Sequence, residues 1–368
     1  MKRALLAALI LAGVARGQED SARWVPTEEG AKQARTALGD ALSDAGDLHP
    51  GLPPEKLDGL LRRVRVTDLV ALVAAPSEGP VGNDVRLAAE LVIRAGSKAR
   101  PYLARALSPE SPGDPTRLLL DTAERTGDEG GKLEEALIAR SKRFLADGKK
   151  VAPLCHALGA LGGRTAFSFV ATTLLDERFA ADSGALSAAG AAILERDKDP
   201  DALLSPLLDR IKKLDEARLK DAFAMLGRSK GAALGTIEHL VTRLDRDKTD
   251  AAAGQQTADV DPCLSNGIAA LVGVGTKEAF AALAKLIQRT HADTHRKRAI
   301  VAAMQARADA RLDAAESLAS LVGSLPSDES TLKEVLVALT GSVATDAASW
   351  RRVIEKQRAS GGASERHP

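Results

Sequence analysis

Aromatic side chains are scarce in this sequence: six Phe, two Trp and one Tyr in 368 residues, or 2%. A sheet core would draw on aromatic and β-branched residues. The apolar fraction is nonetheless 45%. It is carried by alanine and leucine, which points to closely packed helices. Cysteine is also rare, with Cys155 and Cys263 as the whole complement. Neither has a C-x-x-C partner, so redox motifs of that type are excluded, and without C-x-x-C-H so is covalent haem. A chain of this length can build a core without disulfides. Lysine-bearing P-loops and G-x-S-x-G elbows are absent. Charge of one sign is lacking too, with 51 Lys and Arg against 50 Asp and Glu. That balance, with no run of base-stacking aromatics, speaks against a nucleic-acid partner or an anionic lipid surface.

What is present begins with MKRALLAALILAGVARG. Lys2 and Arg3 form a charged start, Ala4–Val14 an apolar run too short to span a bilayer comfortably, and Ala15-Arg16-Gly17 a small-residue cleavage site. The expectation is a signal peptide over residues 1–17, cut after Gly17, giving a periplasmic or secreted protein with no membrane span after cleavage. Losing Lys2, Arg3 and Arg16 would leave 48 basic residues against 50 acidic. No other run approaches transmembrane length.

Residues 18–82 are expected to form an N-terminal helical cap region. Trp24 and Pro26 lead to Thr27, a helix N-cap for Glu28–Asp44. GDLHPGLPP (Gly46–Pro54) is a breaker-rich linker, and Pro54–Val64 with Thr67–Ala75 reads as a helix pair. From residue 83 the chain repeats. First helices are predicted to begin near Val85, Leu118, Val151, Leu186, Leu219, Leu264, Arg298 and Leu332, a period of roughly 33–35 residues. One longer step holds RDKTDAAAGQQTADV, read as an inserted polar loop over residues 246–260. Second helices are predicted over Tyr102–Leu107, Leu133–Leu145, Phe167–Leu175, Leu203–Ile211, Leu234–Leu244, Phe280–Ile287 and Leu312–Val322. Between them lie turns at Gly96, Gly127, Gly162-Gly163, Asp197–Pro200, Ser229–Gly231, Gly275, Ala308-Asp309 and Gly341, where glycine can end a helix in the left-handed conformation. The stretch Leu264–Gln288 is typical: two short apolar stripes around Gly273-Val274-Gly275. Such a pair cannot bury its own apolar faces and needs neighbours on both sides.

The period and the helix pairs predict an all-α fold, an α-solenoid of about eight to nine antiparallel helix pairs. Ankyrin's T-P-L-H motif is missing, and one tyrosine is too few for tetratricopeptide units. Val85–Leu107, Lys150–Leu175, Leu219–Leu244 and the Leu264 unit resemble the HEAT pattern, which belongs to the armadillo-type folds. The resemblance covers about residues 83–342, and the repeat array is expected over residues 83–345. The short period is similar to the compact bacterial variety. Val337–Gln357, with LTG followed by an Asp-x-x-x-Trp helix start, resembles the C-terminal cap of secreted bacterial, planctomycete-type HEAT proteins. There Asp346 would N-cap a capping helix over residues 346–358 and Trp350 would cover the last open core face. Residues 359–368 are expected to be a disordered tail.

The residues that could carry chemistry mostly have plainer roles. His291 and His295 lie four apart, but Ala292, Asp293 and Thr294 do not supply the H-E-x-x-H acid; Asp293 or Thr294 is expected to cap a helix. Asp197, Asp199 and Asp201 alternate like the start of a calcium loop, yet Ala202 and Leu208 stand where glycine and the last carboxylate are required. Helix capping accounts for them better. Asp245, Asp247 and Asp250 are read as parts of a solvated linker. Cys155 and Cys263 sit on first helices three units apart, so at ~8–10 Å per packed helix they lie beyond disulfide reach. His156 and His239 fall in helical patterns, and Gly159–Gly163 follows a helix and is a turn. Arg296-Lys297-Arg298 is expected on a solvated face. The sequence therefore predicts no catalytic, cofactor-binding or metal site.

The function expected is a non-catalytic scaffold that binds a protein or peptide on the concave face, which second helices line in such folds. Exposed candidates there are Arg105, Arg140, Arg143, Arg210, Lys212, Glu238, Arg243, Lys285 and Arg289. The alternatives are an enzyme or enzyme-accessory module, which the resemblance allows because some HEAT-like proteins are lyases, or a structural envelope component.

Overall fold

Helix caps and apolar stripes in the sequence become helices in the structure. The computed structural model describes residues 24–45, 52–76, 80–252, 261–290 and 292–364; every regular element among these is helical and none is a strand. The segment expected to be a signal peptide, most of the 46–54 linker, His291 and the last four residues lie outside the described residues. Two compact units divide at Ala166.

The first unit holds α1 (Glu28–Ala45), α2 (Pro54–Leu61), α3 (Val66–Ala74), α4 (Asn83–Ala95), α5 (Arg100–Leu107), α6 (Arg117–Thr126), α7 (Lys132–Ala146) and α8 (Ala152–Leu161). The division falls inside α9 (Arg164–Leu174). Thr27 and Thr116 start α1 and α6 by accepting the Gly30 and Leu119 N–H groups, each at 3.1 Å. Such caps satisfy amide groups that no helix can pair for itself. Helix α4 packs on α6 and α6 on α8, while α5 packs on α7. Their shared core is Leu87, Leu91, Leu103, Leu107, Leu119, Leu133, Leu137, Leu154 and Leu158. Trp24 folds back from the N-terminal side to meet Tyr102 edge to face, with ring centroids 5.3 Å apart.

The second unit continues with α10 (Ser183–Arg196), α11 (Pro200–Leu204), α12 (Leu208–Ile211), α13 (Glu216–Leu226), α14 (Leu234–Ala252), α15 (Pro262–Val274), α16 (Lys277–Arg289), α17 (Asp293–Ala302), α18 (Arg311–Ala319), α19 (Glu329–Thr340) and α20 (Ala347–Ser364). Here α10, α13, α15, α17 and α19 pack in sequence order, and so do α14, α16, α18 and α20. Glycine brings the first series together. A Cβ on Gly273 would lie 2.8 Å from the Gly227 carbonyl oxygen, and one on Gly227 would lie 3.0 Å from the Ala270 Cα. At α20, Asp346 accepts the Ser349 N–H at 2.9 Å, and Trp350, four residues further on, is fully buried.

Several expectations need correction. Arg246–Ala252 is not loop but the last part of α14; its residues are mostly good helix formers, so the polar composition that suggested a loop does not break the helix. Residues 253–260 lie outside the described residues. Residues 359–364, expected in a disordered tail, belong to α20, which runs on to Ser364. The helix expected over Leu203–Ile211 is broken into α11, a 3-10 turn (Ser205–Leu207) and α12. Pro206 sits in that turn, where its missing N–H cannot support an α-helix. Helix α18 ends at Ala319, short of the predicted Val322. Gly275 and Gly341 end their helices at φ of 68° and 65°, but Gly162 ends α8 in an extended conformation at φ −71°.

Candidate functional site

A groove between α5 and α7 in the first unit, and a narrow crevice of about 30 Å³ between α14 and α16 in the second, each lie near a buried arginine. In the first unit the groove runs between α5 and α7 with a volume of about 470 Å³. Ala104, Ala136 and Ala139 line it, small side chains that leave the depression open. Its charges are balanced, with Arg105 and Lys132 against Glu110 and Glu135. The Glu110 carboxyl is held below its usual range, chiefly by a hydrogen bond from Ser108 and with help from the charges of Arg105 and Arg140.

Arg140, expected on the surface, is buried on α7. Its guanidinium donates to the carbonyls of Ser108 at 2.8 Å and Ser111 at 2.9 Å, and also to Gly113. It thereby fixes the connector after α5, which supplies Ser108, Pro109 and Glu110 to the groove. Burial lowers its pKa, with Asp114 and Glu110 only partly opposing. The sequence pattern missed this because an arginine at a helical position reads as solvated unless its acceptors, around thirty residues upstream here, are known.

In the second unit the groove lies between α14 and α16. Glu238, Thr242 and Asp245 come from α14, Lys285 and Arg289 from α16, and Val241, Leu271, Ala282 and Leu286 are its apolar lining. A broader depression of about 420 Å³ along α14 adds Gly235, His239, Arg243 and Arg246. Asp245, expected in a solvated linker, is instead part of a polar junction: it accepts from the Thr290 hydroxyl at 3.1 Å and stands 3.1 Å from His295 Nδ1. The Thr290 carbonyl accepts from Arg296 at 3.1 Å. Arg296 also pairs with Asp293 and with the fully buried Asp328. Burial alone would lower the Arg296 pKa, but the two carboxylates outweigh it and raise it. This overturns the solvated reading of Arg296. It also overturns capping by Asp293 or Thr294, because α17 starts at Asp293 without a side-chain cap and the Asp293 carboxylate is turned to Arg296.

Other residues singled out in the sequence fall as follows. Arg143 pairs with Asp147 at 2.9 Å and Lys212 with Asp209 at 3.0 Å, while Arg210 is exposed. Asp199 caps α11 through the Ala202 N–H at 3.2 Å, and Asp201 accepts the N–H groups of Lys230 at 2.8 Å and Ala232 at 3.1 Å. Asp199 thus caps its own helix, and Asp201 ties that helix to the segment after α13. Both cysteines are buried thiols outside any disulfide. His156 is exposed and meets Glu124 at 2.8 Å. Among the described residues no group of three or more His, Cys, Asp or Glu side chains is arranged to hold a metal ion, and no helix is long and apolar enough to cross a membrane.

Compared with protein-family models, with curated proteins and with solved structures, the chain matches none.

Proposed function

We propose that each unit is a run of HEAT-like repeats of the α-solenoid type, and that the protein is a non-catalytic scaffold binding a protein or peptide partner along its second helices. The observation that carries this reading is the pair of grooves between second helices, one in each unit, lined by small or aliphatic side chains with charged rims. Packing of α10, α13, α15, α17 and α19 in chain order supports the repeat reading, since each pair leaves an apolar face for the next. Grooves with apolar linings and charged rims suit a polypeptide, because the lining gives affinity and the rim gives register and selectivity. The N-terminal pattern supports export, and the protein would then meet its partner outside the cytoplasm.

The test is a pull-down from envelope extract with the purified chain, run beside Arg105→Glu/Lys132→Glu and Lys285→Glu/Arg289→Glu. A partner retained by the native chain and lost with either variant is expected. Capture that is the same for all three proteins, or no capture, would remove the scaffold reading. Mass spectrometry of the exported product is expected to find Gln18 at its N-terminus, and an intact leader would remove the export reading.

A further inference from the structure

We infer that one edge of the first unit, formed by α2 and the turns after α2 and α4, docks on an anionic lipid surface. This goes beyond the scaffold reading and does not depend on it. Arg62, Arg63 and Arg65 lie in the turn between α2 and α3, and Lys98 lies in the turn between α4 and α5. All four are exposed, and none has a carboxylate within ion-pair distance among the described residues. The two turns share one edge, because Asp58 near the end of α2 meets Arg94 near the end of α4 at 2.6 and 3.0 Å. That pair commits Asp58, and Arg100 commits Glu129 at 2.8 Å. Glu55 and Lys56 offset each other in the first turn of α2, and the half-buried Asp68 on α3 offsets one cation at most. The edge is therefore positive, although the chain as a whole is close to neutral.

Exposed arginines alone would mean no more than a solvated turn. The second observation is apolar. Helix α2 buries none of its residues, whereas α4, the helix it packs on, buries Leu87, Ala88, Ala89, Leu91 and Val92. Leu57, Leu60 and Leu61 are left half-exposed on α2, at spacings that put them on one face. In the series α2, α4, α6 and α8, α2 is the outermost member. The outermost helix of a stacked array is expected to be polar on its open side. This one carries leucine beside arginine. Aliphatic side chains next to unmatched cations fit the boundary between headgroups and acyl chains of an anionic bilayer, where the leucines give apolar contact and the cations give attraction. A second copy of the chain fits less well, because a symmetric contact would bring the same arginines together. A purely ionic partner accounts for the arginines but not for the leucines.

The experiment uses the chain from Gln18 onward, so that the apolar leader takes no part, and vesicles of phosphatidylcholine alone or with about one third phosphatidylglycerol, read by flotation. Expected are binding to the anionic vesicles only, weakening as added salt shortens the screening length, and a loss of roughly tenfold or more in Arg62→Glu/Arg63→Glu. Arg351→Glu/Arg352→Glu makes the same charge change at exposed positions of α20 and is expected to keep native binding. Leu60→Trp reads the apolar contact: the difference between its emission and that of the native chain, with Trp24 and Trp350, is expected to shift to the blue on anionic vesicles. Circular dichroism melting checks that every variant is folded. Equal binding to neutral vesicles, no binding to anionic ones, or the same loss in both arginine variants would overturn the inference. An unshifted difference spectrum for Leu60→Trp would also overturn it, in favour of a purely ionic contact. So would tighter binding to polyglutamate than to the vesicles, in favour of an acidic protein partner. The groove variants of the envelope pull-down lie elsewhere, so failure on vesicles leaves the scaffold reading standing, and failure of the pull-down leaves this inference standing.

Discussion

Arg140 in the first unit and Arg296 in the second are both buried, and both tie a connector to a helix, yet they are neutralised in different ways. Arg140 hydrogen-bonds to carbonyls alone and lies over the Phe144 ring. Arg296 has the Asp328 and Asp293 carboxylates as well as the Thr290 carbonyl. Their pKa shifts run in opposite directions for this reason. A guanidinium without a carboxylate is stable in a fold only where it fills several acceptors at once, since each neutral hydrogen bond returns little and desolvation costs much. The first arrangement suits a surface connector whose carbonyls can fall back on water. The second suits a junction in which Asp328, fully buried, has no such fallback.

The strongest way to break this contrast is to remove one carboxylate. Asp328→Ala leaves Arg296 charged and under-compensated, and should cost about 3–5 kcal/mol. Urea unfolding, combined with hydrogen exchange on peptides from α17 and α19, would show the loss confined to the second unit. Replacing both partners with apolar side chains, Arg296→Met with Asp328→Leu, should recover much of it. If the double variant is no more stable than Asp328→Ala alone, an uncompensated charge is not the source of the loss.

The second unit also differs in how its helices approach. Gly273→Ala would push a methyl group onto the Gly227 carbonyl of α13's end, which is backbone and cannot rotate away. A cost of about 1–3 kcal/mol follows from forced overpacking. Gly190→Ala meets the flexible Met225 side chain instead and should cost distinctly less. Thermal melting of the two variants measures the difference, and equal melting temperatures would mean that α13 and α15 have room to separate.

In the first unit, Arg140→Met should cost about 1–3 kcal/mol, less than Asp328→Ala, because water can take over the carbonyl of the exposed Gly113. Arg140→Lys should not restore the native value, since an ammonium lacks the fork that reaches several carbonyls. Unfolding midpoints in urea decide this. A loss as large as that of Asp328→Ala would show the connector to be as closed to water as the second junction.

How much of this was legible in the sequence follows from what fixes each feature. Helix positions depend on local stripes and caps such as Thr27, Asp199 and Asp346, all within a few residues of the groups they serve. Those were readable. Arg140 and Arg296 were not, because the partners that bury them include residues about thirty positions away, Ser108, Ser111 and Asp328 among them. The groove residues fall between these cases. Glu238, Lys285 and Arg289 could be placed on second helices by period, but their meeting along one crevice required the packing of α14 beside α16. Helix α14 ran past its expected end for a related reason: polar composition marks solvent exposure, and solvent-exposed helix and loop share it.

A third use of charge sits at α20, where Asp346 faces neither guanidinium nor carbonyl but the amide of Ser349, together with the Ser349 and Thr345 hydroxyls. Hydrogen bonds from that amide first, and then from the hydroxyls, hold its carboxyl below the usual range. A depressed carboxylate contributes stability that is fully present above its unfolded pKa and is lost as pH falls through the lower folded value. The contribution should therefore persist through neutral pH and fade only below about pH 4. Asp346→Ala should destabilise the start of α20, as loss of an N-cap does, and Asp346→Asn, which still accepts from Ser349, should do so less. Trp350 reports the effect. Its indole is buried within one turn of the cap, so loosening the start of α20 should shift its fluorescence to the red before the rest of the unit melts. A spectrum unchanged until global unfolding would mean that the buried indole, not the aspartate, sets the position of this helix.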